Sequence, residues 1–208
     1  AAEGHVPGDV QVAPDGSVYV SDSAHPAIYR IRGGKVEEFA TDPAFRSLQG
    51  QALSGDRRTL FVADYSHGIA AVDLATRAVS WLDPPPTGTV LGIDGMARAR
   101  DDLVAIQNGI VPPRVVRIRL AGAPDRGDAD GGPRERAAAS APTRVVSVEV
   151  LDRNLPVASE PTSGVVVGDA FYYVANGQWE EFDEAGARVP GTSLRPPVIL
   201  RLPLRPRR

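Results

Sequence analysis

The amino-acid sequence predicts an all-β fold, a β-propeller with about four recognisable four-stranded blades belonging to a six-bladed ring. The first observation is an internal repeat: a short strand, a turn containing Gly and Asp, and a second, more apolar strand recur four times. The second observation is that no stretch shows the periodicity of an amphipathic helix. Repeats of about 40 to 50 residues that each form an antiparallel sheet are typical of propellers.

Each repeat predicts a β-hairpin. Asp-Gly and Gly-Asp pairs suit hairpin turns because both residue types tolerate positive φ angles, so we interpret the turn residues Asp15 and Asp56 as structural. The four hairpins are DVQVAPDGSVYVSDS (9–23), QGQALSGDRRTLFVADY (49–65), DGMARARDDLVAIQNG (94–109) and SGVVVGDAFYYVANG (163–177).

Further strands complete the units. A third strand follows every hairpin, as in AIYRIR, and a fourth follows the first three, as in KVEEFA. A stretch rich in Gly, Pro, Ala, Arg and Asp predicts a mobile loop at 121–144. We expect a single propeller domain over 1–208, with blades at approximately 9–46, 47–86, 91–153 and 160–208. Since this is fewer than six blades and the last has no outermost strand, we expect the chain to lack the N-terminal blades.

Composition excludes several classes of function. The 208 residues are 42% hydrophobic, which is enough for a core, and the formal net charge of −3 gives no broad basic surface for nucleic acid. No apolar run approaches the length of a membrane span. Without cysteine, a metal can be held only by oxygen ligands or histidines. A single lysine among the 23 basic residues indicates a GC-rich bacterial source, while the compartment is not indicated.

Polar residues at two recurring positions predict one functional mouth. The chain runs down the first strand of a blade and back up the second, so strand starts and strand ends meet on the same face. The starts carry Asp9, Gln49, Asp94 and Ser163, and the ends carry Asp22, Asp64, Asn108 and Asn176. We interpret Asp9 as a candidate metal ligand or substrate contact, and we predict substrate contacts at Asn108, Asn176, Asp64 and Ser163.

Several of these residues have a structural alternative. Asp22 and Asp64 could instead hydrogen-bond the backbone of the following turn, as Asx residues readily do. Asn108 and Asn176, each followed by Gly, could be turn residues in the left-handed conformation. His67, on a loop after a second strand, is a candidate proton shuttle or a solvated bystander.

Several segments resemble the gluconolactonase/regucalcin-like six-bladed propellers. GIDGMARARDDLVAIQNGIVPPRVVRIRL is similar to the blade in which an Asp-Gly opens the inner strand, and EPTSGVVVGDAFYYVAN is similar to the blade that follows it. LQGQALSGDRRTLFVADY looks like that family's PNGIAFSPDGKTLYVAD, with Gln49 in place of a metal-binding Asn. The resemblance covers nearly the whole chain.

This resemblance implies one divalent cation, Ca²⁺ or Zn²⁺, at one mouth of the channel. Asp94 falls on the family's metal-binding aspartate, which is also its proposed catalytic base, and the alternative is an aspartate that caps a turn. The implied chemistry is hydrolysis of a lactone or ester, in which the metal polarises the carbonyl and a carboxylate activates water. Two departures matter: the family's metal-binding Glu lies in a blade that this chain lacks, and Gln49 is longer than Asn by one methylene.

Two functions follow as expectations. The first is a metal-dependent hydrolase of the lactonase or esterase type, acting on a small molecule through Asp94 and His67, with metal ligands Asp94, Gln49 and Asp9. The second is a non-catalytic, NHL-like propeller that binds a small ligand or a protein at the same mouth. In either case an open ring exposes two blade faces, so we expect self-association of the chain.

Overall fold

The structure, a computed structural model, describes residues 4–121, 144–183 and 185–204. The predicted mobile loop at 121–144 lies outside the described residues except for its two ends. In the described part of the chain the only helix is a single 3-10 turn at Trp179–Glu181, and no helix there is long and apolar enough to cross a membrane.

Four antiparallel sheets, in a four-blade propeller arrangement, account for all the strands of the described residues. Sheet 1 contains β1 (Pro7–Val12), β2 (Val18–Asp22), β3 (Ala27–Arg32) and β4 (Lys35–Ala40). Sheet 2 contains β5 (Leu48–Leu53), β6 (Thr59–Asp64), β7 (Gly68–Asp73) and β8 (Val79–Trp81). Sheet 3 contains β9 (Ile93–Ala99), β10 (Asp102–Gln107), β11 (Arg114–Leu120) and β12 (Val145–Arg153), and sheet 4 contains β13 (Gly164–Val167), β14 (Ala170–Val174) and β15 (Ile199–Pro203).

Strand order follows chain order in every sheet. The prediction that the last unit has only three strands is confirmed for the described residues. The predicted turn roles of Asp15 and Asp56 are also confirmed. The Asp15 carboxylate accepts a hydrogen bond from the Ser17 amide at 3.0 Å, and the Asp56 carboxylate accepts one from the Arg58 amide at 3.1 Å.

The sheets stack face against face, and an apolar core fills each of the three spaces between neighbours. Alternation along each strand gives every inner sheet two buried faces, which is why β6 and β10 are buried along their whole length. Phe39 of sheet 1 packs with Leu60 of sheet 2 in the first cluster, and Phe61 of sheet 2 with Met96 of sheet 3 in the second. The third cluster joins Val104 of sheet 3 to Phe171 of sheet 4 and to other residues around them.

The first strand of each sheet lies beside the first strand of the next, so these strands are the innermost ones. Two glycines permit this approach. A Cβ on Gly50 would lie 2.6 Å from the carbonyl oxygen of Asp94, and a Cβ on Gly95 would lie 2.4 Å from that of Thr162. The Asp94-Gly95 pair therefore lies inside an inner strand rather than at a hairpin turn, and Gly95 is required by the packing of backbone on backbone.

We expect Gly95→Ala to lower the free energy of unfolding by about 1 to 3 kcal/mol, because an added methyl group in a filled space displaces its neighbours. Urea unfolding followed by circular dichroism measures the change. Gly55→Ala is the matched control, since its Cβ would meet only the Arg98 guanidinium at 3.5 Å. Equal stability of the two variants would contradict the close packing of inner strands.

Candidate functional site

The first strands of sheets 1 to 3 are irregular at one end, where the strand register shifts. In sheet 1 the shift falls between Pro7 and Val10, and in sheet 2 between Leu48 and Gln51. In sheet 3 it falls opposite Ala105 and Gln107 of β10. Such irregularities redirect side chains and are frequent beside functional sites. We call this end of the channel the mouth.

The predicted metal ligands all lie in these irregular segments. Gln49 and Asp94 directly follow the last paired residues, Leu48 and Ile93, and so occupy equivalent positions. Sheet 1 has Gly8 at that position, and Asp9 comes one residue later. Gln49 and Asp94 are therefore equivalent in strand position, whereas Asp9 lies one residue further along its strand.

In each sheet a buried polar side chain lies at or just after the end of the second strand, on the side of the mouth. The Asp64 carboxylate is fully buried and accepts hydrogen bonds from the backbone amides of Arg46, Ser47, Ser66 and His67 at 2.6 to 3.1 Å. It thus joins the segment before β5 to the turn before β7. The residues at these positions are Asp22, Asp64, Gln107 and Asn176, each at most 5% exposed.

The structural alternative for Asp22 and Asp64 is confirmed, because both carboxylates bond the following turn. Asn176 is similar: its side chain accepts from the Val198 amide at 2.7 Å and donates to the Pro196 carbonyl at 3.0 Å. The left-handed alternative for Asn108 and Asn176 is wrong, since neither is among the described residues with positive φ. Substrate contacts at Asp64 and Asn176 stay predictions.

Asp94 lies in a different environment from these buried side chains. Its Oδ2 accepts a hydrogen bond from the Asn108 side-chain amide at 2.7 Å, and the Asn108 carbonyl oxygen accepts one from the Tyr65 hydroxyl at 3.1 Å. Among the described residues no backbone amide donates to the Asp94 carboxylate, so this aspartate does not cap a turn. Instead, two successive hydrogen bonds, from Tyr65 to Asn108 and from Asn108 to Asp94, hold Asp94 at the mouth.

Negative charge accumulates around Asp94. Burial raises the pKa of Asp94 above its ordinary value of 3.8, and the charges of Asp9 and Glu160 raise it further, while the hydrogen bond from Asn108 lowers it. Burial likewise raises the pKa of Asp9, against the lowering effect of the Gln51 and Val10 amides. The three carboxylates come from sheets 1 and 3 and from the segment before sheet 4, so the mouth gathers acidic groups from across the fold.

Neighbouring backbone and side chains hold Asp9 and Gln49 in place. The Asp9 carboxylate accepts from the Val10 and Gln51 amides, both at 2.8 Å, and the Gln49 side-chain amide donates to the Ser47 hydroxyl at 3.2 Å. The side-chain oxygen of Gln51 is buried and accepts no hydrogen bond from the described residues, although its amide donates to the Asp9 carbonyl. An amide oxygen without a donor thus lies beside Asp9.

Among the described residues, neither His67 nor Ser163 forms a side-chain hydrogen bond with Asp94, Asn108 or Tyr65. The exposed His67 ring packs on Trp81 of β8, the outermost strand of sheet 2, with ring centroids 4.3 Å apart. Ser163 is exposed beside Gly95, and its carbonyl accepts a hydrogen bond from the Val174 amide. Their proposed roles in catalysis and substrate contact stay predictions.

Glu160 lies before Pro161 and shortly before the last inner strand, a sequence position that favours a surface carboxylate over one that points at the channel. In the structure its charge acts on Asp94. Its carboxylate accepts a hydrogen bond from the Trp179 amide at 2.7 Å, and it pairs with Asn176 through an isolated bridge. No repeat marks this position, because it lies outside the periodic strands. The one available signal is its place shortly before the fourth first strand.

The mouth is not a preformed metal cluster. Within residues 4–121, 144–183 and 185–204, no group of three or more His, Asp or Glu side chains has the spacing of a metal site. The oxygen-bearing side chains at this end of the fold are the carboxylates of Asp9, Asp94 and Glu160 and the amide groups of Gln49 and Gln51. Carboxylate and amide oxygens are the ligands that Ca²⁺ accepts in flexible geometry.

A second concave region lies at the opposite end of the channel. This cleft, of about 300 Å³, is lined by residues of all four innermost strands together with two arginines of the hairpin ends, Arg57 and Arg98. Two arginine side chains therefore line this cleft, whereas carboxylates lie at the mouth.

Comparison with solved structures shows the fold class. A virginiamycin B lyase from Staphylococcus aureus matches 96% of this chain at 15% identity and a TM-score of 0.57, and this chain spans 56% of its length. A gluconolactonase from Xanthomonas campestris matches 81% of this chain at 17% identity and a TM-score of 0.52, with 54% of its own length covered. A chain of a nidogen/laminin complex matches 86% at 16% identity and a TM-score of 0.55, with 74% covered.

These likenesses define the chain as a β-propeller protein. No family model matches it, and no curated protein matches it significantly. The chain spans little more than half the length of the lyase and of the gluconolactonase. At such low identities, these matches are evidence of the fold alone.

We expect Asp64→Ala to lower the free energy of unfolding by roughly 3 kcal/mol, because buried backbone amides lose a charged acceptor. Urea unfolding checks this. Asp101→Ala, on an exposed turn at the other end of sheet 3, should change stability little. A tolerated Asp64→Ala would contradict the bridging role of the buried carboxylate.

We expect Asp94→Asn to raise stability at pH 7 in metal-free buffer. The raised pKa means that the folded chain holds its proton more tightly than the unfolded chain, so ionisation of Asp94 costs stability as pH rises from about 3.8 through the folded-state pKa. The Asn side chain does not ionise, so the variant does not lose this stability. Its advantage in melting temperature should shrink as the pH is lowered toward 4.

Asp56→Asn is a control for which we expect the opposite change in stability. A hydrogen bond from the Ser54 hydroxyl lowers the pKa of Asp56, so its stabilising effect is present above about 3.8 and is lost as pH falls through the folded-state pKa. This variant should melt lower than the unsubstituted chain at pH 7. If both variants shift the same way, the electrostatic description of the mouth is wrong.

Proposed function

We propose that the chain belongs to a metal-dependent hydrolase of the lactonase or esterase type, with its site at the mouth that carries Asp94. The observation that supports this most is the position of Asp94 in an inner strand at the mouth, where its carboxylate accepts a hydrogen bond from the Asn108 side chain and none from the backbone of the described residues. Burial, and to a smaller extent the charges of Asp9 and Glu160, raise the pKa of this carboxyl. Unneutralised carboxylates in a partly buried site favour a cation. Perturbed acidic groups of this kind cluster at functional sites.

The bound ion is a single Ca²⁺ or Zn²⁺. Its ligands would be the carboxylates of Asp94 and Asp9 with the amide oxygen of Gln49, and Glu160 and the unpaired oxygen of Gln51 supply further oxygen donors. This donor set fits Ca²⁺ better than Zn²⁺, which prefers nitrogen and sulfur ligands. Because no cluster of three acidic or histidine side chains is preformed in the described residues, binding requires the amide oxygens.

When bound, the cation supplies polarisation of the substrate carbonyl. Asp94 accepts a proton from the attacking water as that water bonds to the carbonyl carbon, and the proton then passes to the alkoxide released when the ester C–O bond breaks. Asn108 orients Asp94 through the hydrogen bond to its Oδ2. The substrate is a small lactone or ester, with Asn108 and Ser163 as its proposed contacts. Contact with Asp64 or Asn176, and proton transfer by His67, require the loops that hold these side chains to move first.

The complete ring has six blades, of which this chain provides four. The gluconolactonase from Xanthomonas campestris supports this proposal, since four sheets of this chain cover about half of its length. Two further blades would also bring more residues to the mouth, including any glutamate ligand from a preceding blade.

Metal binding tests the proposal first. The chain, stripped with a chelator and dialysed against CaCl₂ or ZnCl₂, should retain about one ion per chain by elemental mass spectrometry. Asp94→Asn should weaken binding by about tenfold or more, because the affinity of an oxygen site falls when it loses a charged ligand. Asp101→Asn is the matched control, because it removes the same charge from an exposed turn away from the mouth.

Hydrolysis of δ-lactones and p-nitrophenyl esters is then measured with and without the metal. Activity that requires the ion and is lost in Asp94→Asn supports the hydrolase. Absence of a bound ion at millimolar calcium or zinc, together with absence of hydrolysis, contradicts it.

The alternative is a non-catalytic propeller that binds a small ligand or a protein. The absence of a preformed metal cluster among the described residues favours it, as does the cleft with two arginines at the opposite end. The nidogen/laminin match is a propeller within a protein complex. Under this alternative, ligand binding is independent of metal and insensitive to Asp94→Asn.

A further inference from the structure

The turns between first and second strands, at the end of the channel opposite the mouth, share one backbone feature. Each turn contains a residue with a φ angle of 61° to 82°, and these residues are Gly16, Arg57, Arg100 and Gly168. Glycine adopts this left-handed conformation without strain, whereas a residue with a Cβ atom adopts it at a cost. Sheets 2 and 3 therefore carry an arginine at a position where the backbone favours glycine.

The turn itself does not require the arginine side chain. Gly16 and Arg57 each follow a turn aspartate whose carboxylate accepts a hydrogen bond from the next amide along, at Ser17 in sheet 1 and at Arg58 in sheet 2. The same turn thus forms with glycine and with arginine. Residues that keep an unfavourable backbone conformation are frequent at functional sites, so the exposed Arg57 side chain is a candidate for a role beyond the turn.

Arg98 of β9 brings a second guanidinium to the same turn. Its Nη1 donates a hydrogen bond to the Arg100 carbonyl at 2.7 Å and lies 3.5 Å from the place of a Cβ on Gly55. Gly55 belongs to the turn of Arg57, whose amide donates to the Ser54 carbonyl. The Arg98 guanidinium of sheet 3 therefore lies against the turn of sheet 2, and both arginines line the cleft of about 300 Å³ described above.

Neither guanidinium is neutralised within the part of the chain that the structure describes. The ion pairs found there use other arginines, and the turn carboxylate of Asp56 is engaged with the Ser54 hydroxyl and the Arg58 amide. The Nε and Nη2 groups of Arg98 form no hydrogen bond with the described residues. This edge of a guanidinium presents two parallel N–H groups that match the two oxygens of a carboxylate.

Apolar side chains continue the cleft beyond the arginines. Leu53 of β5 and Ala97 of β9 belong to its lining, together with valines of the neighbouring inner strands. A cleft of about 300 Å³ is at the lower end of the range that holds small organic molecules. Cationic groups beside an apolar wall are complementary to a molecule with a negatively charged group on an apolar body.

We propose that this cleft binds a small organic acid, with its carboxylate on Arg57 and Arg98 and its apolar part against Leu53 and Ala97. The carboxylate neutralises two guanidiniums that have no acidic partner among the described residues. An inorganic anion satisfies the same charges but leaves the apolar wall in water, so the organic acid binds more tightly.

The charged half of this site is independent of any further blades. Arg57 and Arg98 belong to sheets 2 and 3, and each of these sheets packs on a neighbour at both of its faces. The site is also independent of the proposed hydrolase, because it requires no cation and involves none of the carboxylates at the mouth. Metal content measured on the same sample therefore separates failure of one proposal from failure of the other.

Nuclear magnetic resonance titration of the isotope-labelled chain with sodium benzoate tests the proposal. In metal-free buffer without other organic anions, we expect saturable shifts at the amides of Gly55, Arg57 and Arg98. The expected Kd is on the order of 1 mM or tighter, as for other ligands of this size. Acetate and inorganic phosphate, which lack the apolar body, should bind about tenfold more weakly.

Two variants remove one guanidinium each. Arg57→Gly retains the turn, since Gly16 occupies the equivalent position, and Arg98→Met retains an apolar stem. Each should raise the Kd for benzoate by about tenfold or more, the effect of losing a charged hydrogen-bond donor. Arg77→Gly is the matched control: it removes the same charge at another left-handed residue, φ 65°, whose side chain pairs with Glu37 outside the cleft. Circular dichroism verifies that each variant is folded.

Three results overturn the proposal. The first is the absence of saturable shifts with benzoate at about 10 mM, well above the Kd expected for a ligand of this size. The second is an affinity that both folded arginine variants leave unchanged, since benzoate would then occupy another place. The third is equal affinity for benzoate, acetate and phosphate, which would show that charge alone attracts them and that the apolar wall takes no part.

Discussion

The buried polar side chain at the mouth end of each second strand is the interaction on which the rest of the architecture depends. A carboxylate or amide there bonds backbone amides or carbonyls of adjoining loops that would otherwise be buried without partners. Asp64 alone receives four backbone amides from two separate segments. The loops at this end are therefore fixed relative to the innermost strand of their own sheet, so the mouth residues of a sheet stay in place as long as that sheet stays folded.

Aspartate has two different roles at this mouth because the surroundings of Asp64 and Asp94 differ. Asp64 is fully buried but compensated by many donors, so its charge is absorbed by the structure. Asp94 receives one side-chain amide and lies near two other carboxylates, so its charge is left for an incoming group. Protein sites that bind cations or move protons depend on such incompletely compensated groups.

Much of the fold could be predicted from the sequence because a strand period of two and turn chemistry repeat four times. The predicted strands AIYRIR and KVEEFA coincide with β3 and β4 residue for residue. The position of Asp94 at the mouth also followed from topology. The six-bladed ring stays a prediction, since the chain contains only part of any larger ring.

The details of the site could not be predicted, for physical reasons. The buried position at the end of β10 is occupied by Gln107 and not by the predicted Asn108, a shift of one residue that leaves no mark in composition or periodicity. Glu160 lies in an aperiodic segment, and its proximity to Asp94 arises only when sheets 3 and 4 pack together. For His67 the sequence predicts a loop near the mouth, but it does not indicate the direction of the side chain. In the structure the His67 ring points outward onto Trp81.

The stacking of each sheet on its immediate neighbours alone also has a consequence for how the molecule opens. In such a linear array, stability is close to a sum of the units and their nearest-neighbour contacts. Sheets 2 and 3 are held on both sides, whereas sheets 1 and 4 are held on one. Amide hydrogens should therefore exchange fastest at the two ends of the array and slowest in β6 and β10. Fluctuations at sheet 1 would carry Asp9 away from Asp94, so the acidic mouth can open by fraying of an end sheet while its central part stays folded.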